Sequence, residues 1–254
     1  MNDRSAGRSG PVVAGRSGAT GSVTHSPDSQ RFALRAGRGG PTSPAGAPRP
    51  PPRARRLTFR SARVLFMSAR SERVAGSVSI DSLTAEESAR NLSGLLELLK
   101  DAVDSGASVG FLPPLADVEG EAYWRGVVDA VRDGSCVLLG AREPDGTLVG
   151  TAQLLLATRP NGSHRAEVAK VIVHTKARRR GIGRALMLAI EERARGLGRT
   201  TLVLDTRRGD PSEQLYTSVG YTLAGVIPRY ARSADGALDP SAFYYRLLSE
   251  GGQP

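Results

Sequence analysis

From about residue 76 onward, apolar positions recur with a readable period. Residues 78–80 (VSI) predict a short first strand. Thr84 and Glu87 have capping-box spacing, and Leu92, Leu95, Leu96 and Leu99 then repeat at helical spacing, which predicts a helix to about residue 103. The Gly- and Pro-bearing stretch 104–114 predicts a loop. A second helix is expected near 119–131, with Tyr123, Trp124, Val127 and Val128 on one side. Two apolar runs, 136–141 and 148–157, flank the turn EPDGT and predict paired strands. After a turn at 158–164, residues 166–174 (AEVAKVIVH) alternate and then become continuously apolar, as for a strand near the centre of a sheet. A helix carrying Leu186, Leu188, Ile190, Ala194 and Leu197 is expected to follow. Residues 201–205 (TLVLD) predict a buried strand. Asp210 as N-cap, Pro211 at the first helical position and Gly220 as stop bracket a last helix. Strands near 221–227 and 243–248 close the chain. The order is antiparallel first and then β-α-β-α-β: one α/β (α+β) domain on a mixed sheet.

The region before residue 76 has no such period. Residues 37–56 (GRGGPTSPAGAPRPPPRARR) lack the large apolar side chains needed to offset ordering entropy, so residues 1–75 are expected to form a disordered basic extension and 76–250 the folded domain. Charge separates the two regions. The chain has 254 residues and a net charge of +10, and residues 1–66 carry all of it, with twelve arginines, no lysine and two acids. The remainder balances 23 basic against 23 acidic residues. The basic arm could serve a nucleic acid or a membrane surface. Its scarce aromatics and the neutral body favour a passive extension, so no nucleic-acid partner is expected. Met67, close to the first ordered element, is an alternative start.

No run approaches a membrane-spanning length. The lone Cys136 excludes a disulfide framework and a cysteine zinc site, so no metal is expected and a reducing cytoplasm is the default. Nothing in the pattern fixes oligomeric state; a homodimer is compatible with it.

The stretch KARRRGIGRAL, residues 176–186, stands between the central strand and a helix. A helix N-terminus exposes unpaired N–H groups and the positive end of the dipole, which stabilises an anion. Gly181 and Gly183 let backbone approach a phosphate, and Arg178, Arg179, Arg180 and Arg184 add charge. This predicts a pyrophosphate cradle that is neither a P-loop nor a dinucleotide fingerprint.

Taken with AKVIVH before it and TLVLDT and QLYTSVGY after it, RRRGIG resembles the GNAT superfamily of acetyl-CoA-dependent N-acetyltransferases, over residues 76–248. Within that superfamily GASVGF, RPNGSHRAEVAK, LDTRRGDPSEQLY and DGALDPSAFYY are similar to tabtoxin resistance proteins, which acetylate a β-lactam toxin. The resemblance implies a central sheet of six to seven strands, splayed in the middle, with about four helices. Acetyl-CoA would be the co-substrate. Its pantetheine would pair with backbone at Val171, Ile172 and Val173, and its pyrophosphate would sit on the amides from Arg179 to Arg184, Ile182 included. An amide near Val171 or Ile172 would stabilise the oxyanion.

The acceptor would be a small-molecule amine, with detoxification or antibiotic resistance as the setting. Protein acetylation and a non-catalytic acyl-CoA sensor are the alternatives. An amine must lose a proton before it attacks. Glu167 is the first candidate base, against a strand carboxylate paired with Arg165 or Lys170; Asp205 is the second, against a turn residue. Tyr216 matches the tyrosine that protonates the leaving thiolate, against a core aromatic. Members often carry an Asn seven residues earlier, where this chain has Gly209. The GASVGF loop, Asn161, Tyr230 and Tyr244 are acceptor-side candidates by resemblance. His174, His164 and Cys136 are expected to be non-catalytic, and Tyr123 and Trp124 to pack the helix or wall the acceptor pocket.

Overall fold

The computed structural model describes residues 72–74 and 78–248, so the expectation for the basic extension lies outside the described residues. Eight strands form one sheet in the order β1-β2-β3-β4-β5-β6-β8-β7. They are β1 (Glu72–Val74), β2 (Val78–Leu83), β3 (Cys136–Arg142), β4 (Leu148–Leu156), β5 (Arg165–Val173), β6 (Thr201–Arg207), β7 (Thr222–Arg232) and β8 (Leu238–Leu247). The expected mixed sheet is present, extended by the three-residue edge strand β1. All neighbours are antiparallel except β5 and β6, which the intervening helix forces into a parallel crossover.

Five helices cover the sheet: α1 (Ala85–Arg90), α2 (Leu92–Asp104), α3 (Asp117–Arg132), α4 (Ile182–Gly196) and α5 (Ser212–Ser218). The expected capping box is made, with Thr84 accepting from the Glu87 amide and Glu87 accepting from the Thr84 amide. The single helix anticipated from it breaks at Asn91, which ends α1 and opens α2. The last helix begins later than its sequence signals: Pro211 is the cap residue, and Asp210 instead pairs with Arg207 at 3.0 Å.

Two apolar layers sandwich the sheet. On one face Leu186, Met187 and Ile190 of α4 pack with Ala166, Val168, Leu202, Leu204, Ala242 and Tyr244 of the central strands. On the other, Leu95, Leu98 and Leu99 of α2 and Trp124 of α3 pack with Leu83, Leu138, Leu148 and Ile172. Leu188 of α4 and its C-cap Leu197 are 44% and 47% exposed, off the stripe that Leu186, Ile190 and Ala194 bury.

Candidate active site

The two parallel strands do not stay together. β5 and β6 pair only at Arg165–Thr201, Ala166–Leu202 and Glu167–Val203, although both strands continue well beyond. From Glu167 onward they diverge, and the backbone of β5 facing β6 is left without a strand partner. Glu167 therefore stands at the vertex of a V-shaped cleft.

A bulge shapes the β5 wall. Gln153 of β4 pairs with Ala169 and Thr151 with Ile172, so Lys170 and Val171 together face the single residue Ala152, and Lys170 takes φ 48°. The extra residue reverses the alternation of side chains. Ala166 and Val168 point to the α4 face; after the bulge Ile172 packs among α2 and α3, while Val171 and Val173 lie against the α4 layer. The backbone follows. The Ile172 carbonyl faces Gly150 of β4, and His174 donates its amide to Val149 at 2.9 Å. Since one strand residue directs its N–H and C=O to the same side, the alternate residues Val171 and Val173 direct theirs toward the cleft. Of the two amides anticipated for the oxyanion, Val171 has the right direction and Ile172 belongs to the β4 ladder. Part of this edge is already engaged, since Arg178 Nε donates to the Val173 carbonyl at 3.1 Å.

The Arg-Gly stretch closes the far end of the cleft. A short 3-10 turn, Thr175–Ala177, follows β5, Arg179 has φ 64°, and Gly181 caps α4 at φ 82°, a conformation that glycine adopts without strain. Among the described residues, the six consecutive amides of Arg179, Arg180, Gly181, Ile182, Gly183 and Arg184 have no hydrogen-bond acceptor; the first α4 amide bonded within the helix is Ala185, to Gly181 at 3.0 Å. Consecutive N–H groups at a left-handed turn and a helix N-terminus form an anion-binding concavity. The two glycines differ in purpose. A Cβ on Gly181 would meet open space, whereas one on Gly183 would lie 3.2 Å from Leu215 Cδ2, so Gly183 permits α4 to approach α5.

The arginines are less available than their sequence suggests. Arg180 pairs with Glu143 at 2.7 Å, Arg184 donates to the Ser218 carbonyl at 3.2 Å, and Arg178 donates to Ser105 Oγ at 2.7 Å. Among the described residues, Arg179 alone of the four has no such partner. The free donors of this stretch are therefore mainly main-chain amides rather than side-chain charges.

The titratable groups occupy the two faces of the sheet. Alternation places Glu167, Asp205 and Phe243 on the side opposite the α4 layer. Desolvation, then the charge of Asp205, raises the Glu167 pKa above the ordinary carboxylate range, and Lys170 partly opposes this. Tyr216 lies on the α4 side, buried within 6.2 Å of the Tyr221 ring and 6.1 Å of the Tyr244 ring. Burial is the first cause of its raised pKa, followed by the charges of Asp205 and Asp210. The cleft thus has carboxylates on one side and a phenol on the other.

The remaining candidates separate cleanly. Tyr230 extends over Phe243 at 5.1 Å, swung there by a second irregularity that sets residues 228–230 against Pro240. Tyr244 lies on the opposite face, donating to Glu213 at 2.5 Å, so it is not on the carboxylate side. Asn161 is exposed in a 3-10 turn, and His164 is exposed. Gly209 donates its amide to Glu213 at 2.6 Å. His174 accepts from the Lys176 amide and lies 3.6 Å from Asp101, rather than beside Glu167 or Asp205. Cys136 is buried and its thiol is pushed up to about 12 by desolvation. Trp124 is fully buried, whereas Tyr123 reaches the cleft, hydrogen bonded to Gln153. The Ser105–Phe111 segment straps the cleft mouth, with Ser105 held by Arg178 and the Gly106 carbonyl by Arg207 at 3.0 Å. A groove of about 580 Å³ beside α2 and α3 includes His174 and Lys176 but none of Glu167, Asp205 and Tyr216.

Lys170 escaped the sequence reading except as a partner for Glu167. Its only signal was a lysine interrupting an apolar strand.

A parallel strand pair that splays beside a helix N-terminus with unpaired amides has room and donors for an extended anionic group. The comparisons give the family. Residues 96–221 match the Acetyltransferase (GNAT) family. The chain is 35% identical over 127 residues to an uncharacterised N-acetyltransferase of the hisH–hisA intergenic region in Azospirillum brasilense, covering 48% of this chain and 73% of that protein. The structure is also similar to ribosomal-protein-alanine N-acetyltransferase from Brucella melitensis (26% identity, 66% and 99% of the two chains, TM-score 0.56). The fold of a phosphinothricin acetyltransferase from Sinorhizobium meliloti, solved in complex with acetyl-CoA, matches at TM-score 0.59 (22% identity, 70% and 93%). The chain belongs to the GNAT acetyltransferase family and is an acyltransferase.

Proposed function

We propose that the protein transfers an acetyl group directly from acetyl-CoA to the amine of a small molecule. The observation that carries this reading is the run of six unpartnered amides at the end of the splayed strands. Acetyl-CoA is the donor and supplies an activated thioester. The residues available to hold it fit its chemistry: the amides from Arg179 to Arg184 suit a pyrophosphate, and the backbone of Val171 and Val173 suits a pantetheine arm lying along β5.

The Val171 amide polarises the acetyl carbonyl and stabilises the oxyanion. Glu167, at the vertex, takes the proton of the acceptor amine, and its raised pKa suits it to act as a base. Asp205 holds the cationic amine beside it. Tyr216, on the other face, protonates the departing thiolate; its raised pKa keeps the phenol protonated for that step. The lone cysteine is buried and takes no part, which accords with direct transfer. Among the described residues no helix is long and apolar enough to cross a membrane.

The finer assignment is to an amine-detoxifying or antibiotic-resistance enzyme like the tabtoxin resistance proteins. The strapped cleft mouth supports a compact acceptor. A peptide acceptor is favoured by one observation, the 26% identity to a ribosomal-protein-alanine N-acetyltransferase. The test is twofold. Acetyl-CoA at a hundred times its Kd should stabilise the protein by about 2.7 kcal/mol, read as a rise in Tm. Free-thiol release should then respond to small amines and not to alanine-initiated peptides. Absence of any Tm rise removes the donor assignment, and turnover confined to peptides replaces the acceptor assignment.

A further inference from the structure

We propose that Lys170 anchors a carboxylate of the acceptor, so that the acceptor is an amine carrying its own acid group, an amino-acid-like zwitterion.

The inference rests on the acetyltransferase reading above and on the placement of one side chain. Without the bulge, alternation from Ala169 would send Lys170 into the apolar α4 layer. The extra residue and the φ of 48° turn it instead toward α3, where its ammonium lies 5.5 Å from the centre of the Tyr123 ring. It therefore shares a face with Glu167, three residues before it, and with Asp205 across the cleft.

Three facts point to a missing anion. First, the Lys170 ammonium has no hydrogen-bond or ion-pair partner among the described residues, although two carboxylates share its cleft. Second, it is roofed by the strap: a Cβ on Gly110 would lie 3.6 Å from Lys170 Nζ. Third, desolvation is the main influence on its pKa and lowers it, only partly offset by Glu167 and Asp205. A poorly hydrated ammonium without a partner is costly, and an incoming carboxylate would relieve that cost. The Tyr123 ring beneath the ammonium packs edge-on against Phe111 of the strap, 5.2 Å away. Charge is then complementary along the cleft: Glu167 and Asp205 meet the amine of the acceptor, and Lys170 its acid.

The test compares acceptors that differ only in that acid. L-Alanine, β-alanine, γ-aminobutyrate and L-lysine are each measured beside their carboxamides with the full-length protein. Binding is read calorimetrically in the presence of CoA, and transfer by thiol release from acetyl-CoA. At least one free acid should exceed its amide about tenfold to a hundredfold in binding and in kcat/KM, the range of a charge-assisted contact. In Lys170→Met that ratio should fall to about one, and in Lys170→Arg it should be largely retained. The Tm rise with acetyl-CoA, which should persist in both variants, reports folding and donor binding separately. Equal handling of acids and amides by the wild type overturns the proposal, as does a preference that survives Lys170→Met. So does failure of every acid to bind a protein that still binds acetyl-CoA. Loss of acetyl-CoA binding in the wild type would instead strike the acetyltransferase reading.

Discussion

At the residue scale the protein divides proton handling between the two sides of the sheet. Glu167 and Tyr216 both have raised pKa values with desolvation as the first cause, yet the consequences are opposite. A carboxyl group that keeps its proton longer becomes a stronger base once ionised, and a phenol that keeps its proton remains a donor. The active form of Glu167 is the carboxylate, so turnover should fall as pH drops through its raised pKa, placing the acidic limb of the kcat profile above the ordinary glutamate range. Glu167→Gln should lower kcat by about 10²–10⁴, the usual contribution of a general base, and leave the KM for acetyl-CoA near its wild-type value. A larger effect from Asp205→Asn than from Glu167→Gln would exchange the two roles. Pattern alone offered both carboxylates. Register separated them, because Glu167 is the last β5 residue to pair with β6 and Asp205 lies two residues past its partner.

At the scale of elements, the bulge in β5 and the αL turn before α4 do the positioning. The turn was legible: Arg-Gly before an amphipathic helix is a local signal, and the helix appears where the signal predicts. Gly181→Ala should cost about 1–2 kcal/mol through its positive φ, lower Tm by several degrees, and weaken acetyl-CoA binding as the amides lose their alignment. Calorimetry of the variant checks both, and unchanged affinity would locate the donor elsewhere. The purpose of Gly183 was not legible, since its close contact is with Leu215 on a different helix. The bulge was also hidden. AEVAKVIVH can be threaded as a regular strand, and only pairing with β4 reveals one residue too many. For the same reason Tyr244 and Tyr230, both near the chain end, could not be assigned to opposite sides until β7 and β8 were paired with their neighbours.

At the scale of the whole molecule, charge and fold occupy different parts of the chain. The excess of +10 belongs to residues 1–66, and the body is neutral. A protein beginning at Met67 should therefore keep acetyl-CoA-dependent transfer and lose most of its retention on a cation exchanger. A fall in kcat/KM on removing those residues would give the basic arm a part in catalysis.

The sequence by itself determined what depends on neighbours along the chain. The helix and strand periods, the capping box at Thr84, the glycine turn before α4 and the segregation of charge are all local, and all follow from a few residues' chemistry. Tertiary structure decided what depends on pairing between distant segments: the point at which β5 and β6 part, the side to which Val171 turns its amide, and the face that Lys170 shares with Glu167. A one-residue change of register carries a strand side chain through the sheet, and no local pattern encodes the register of a partner that lies tens of residues away.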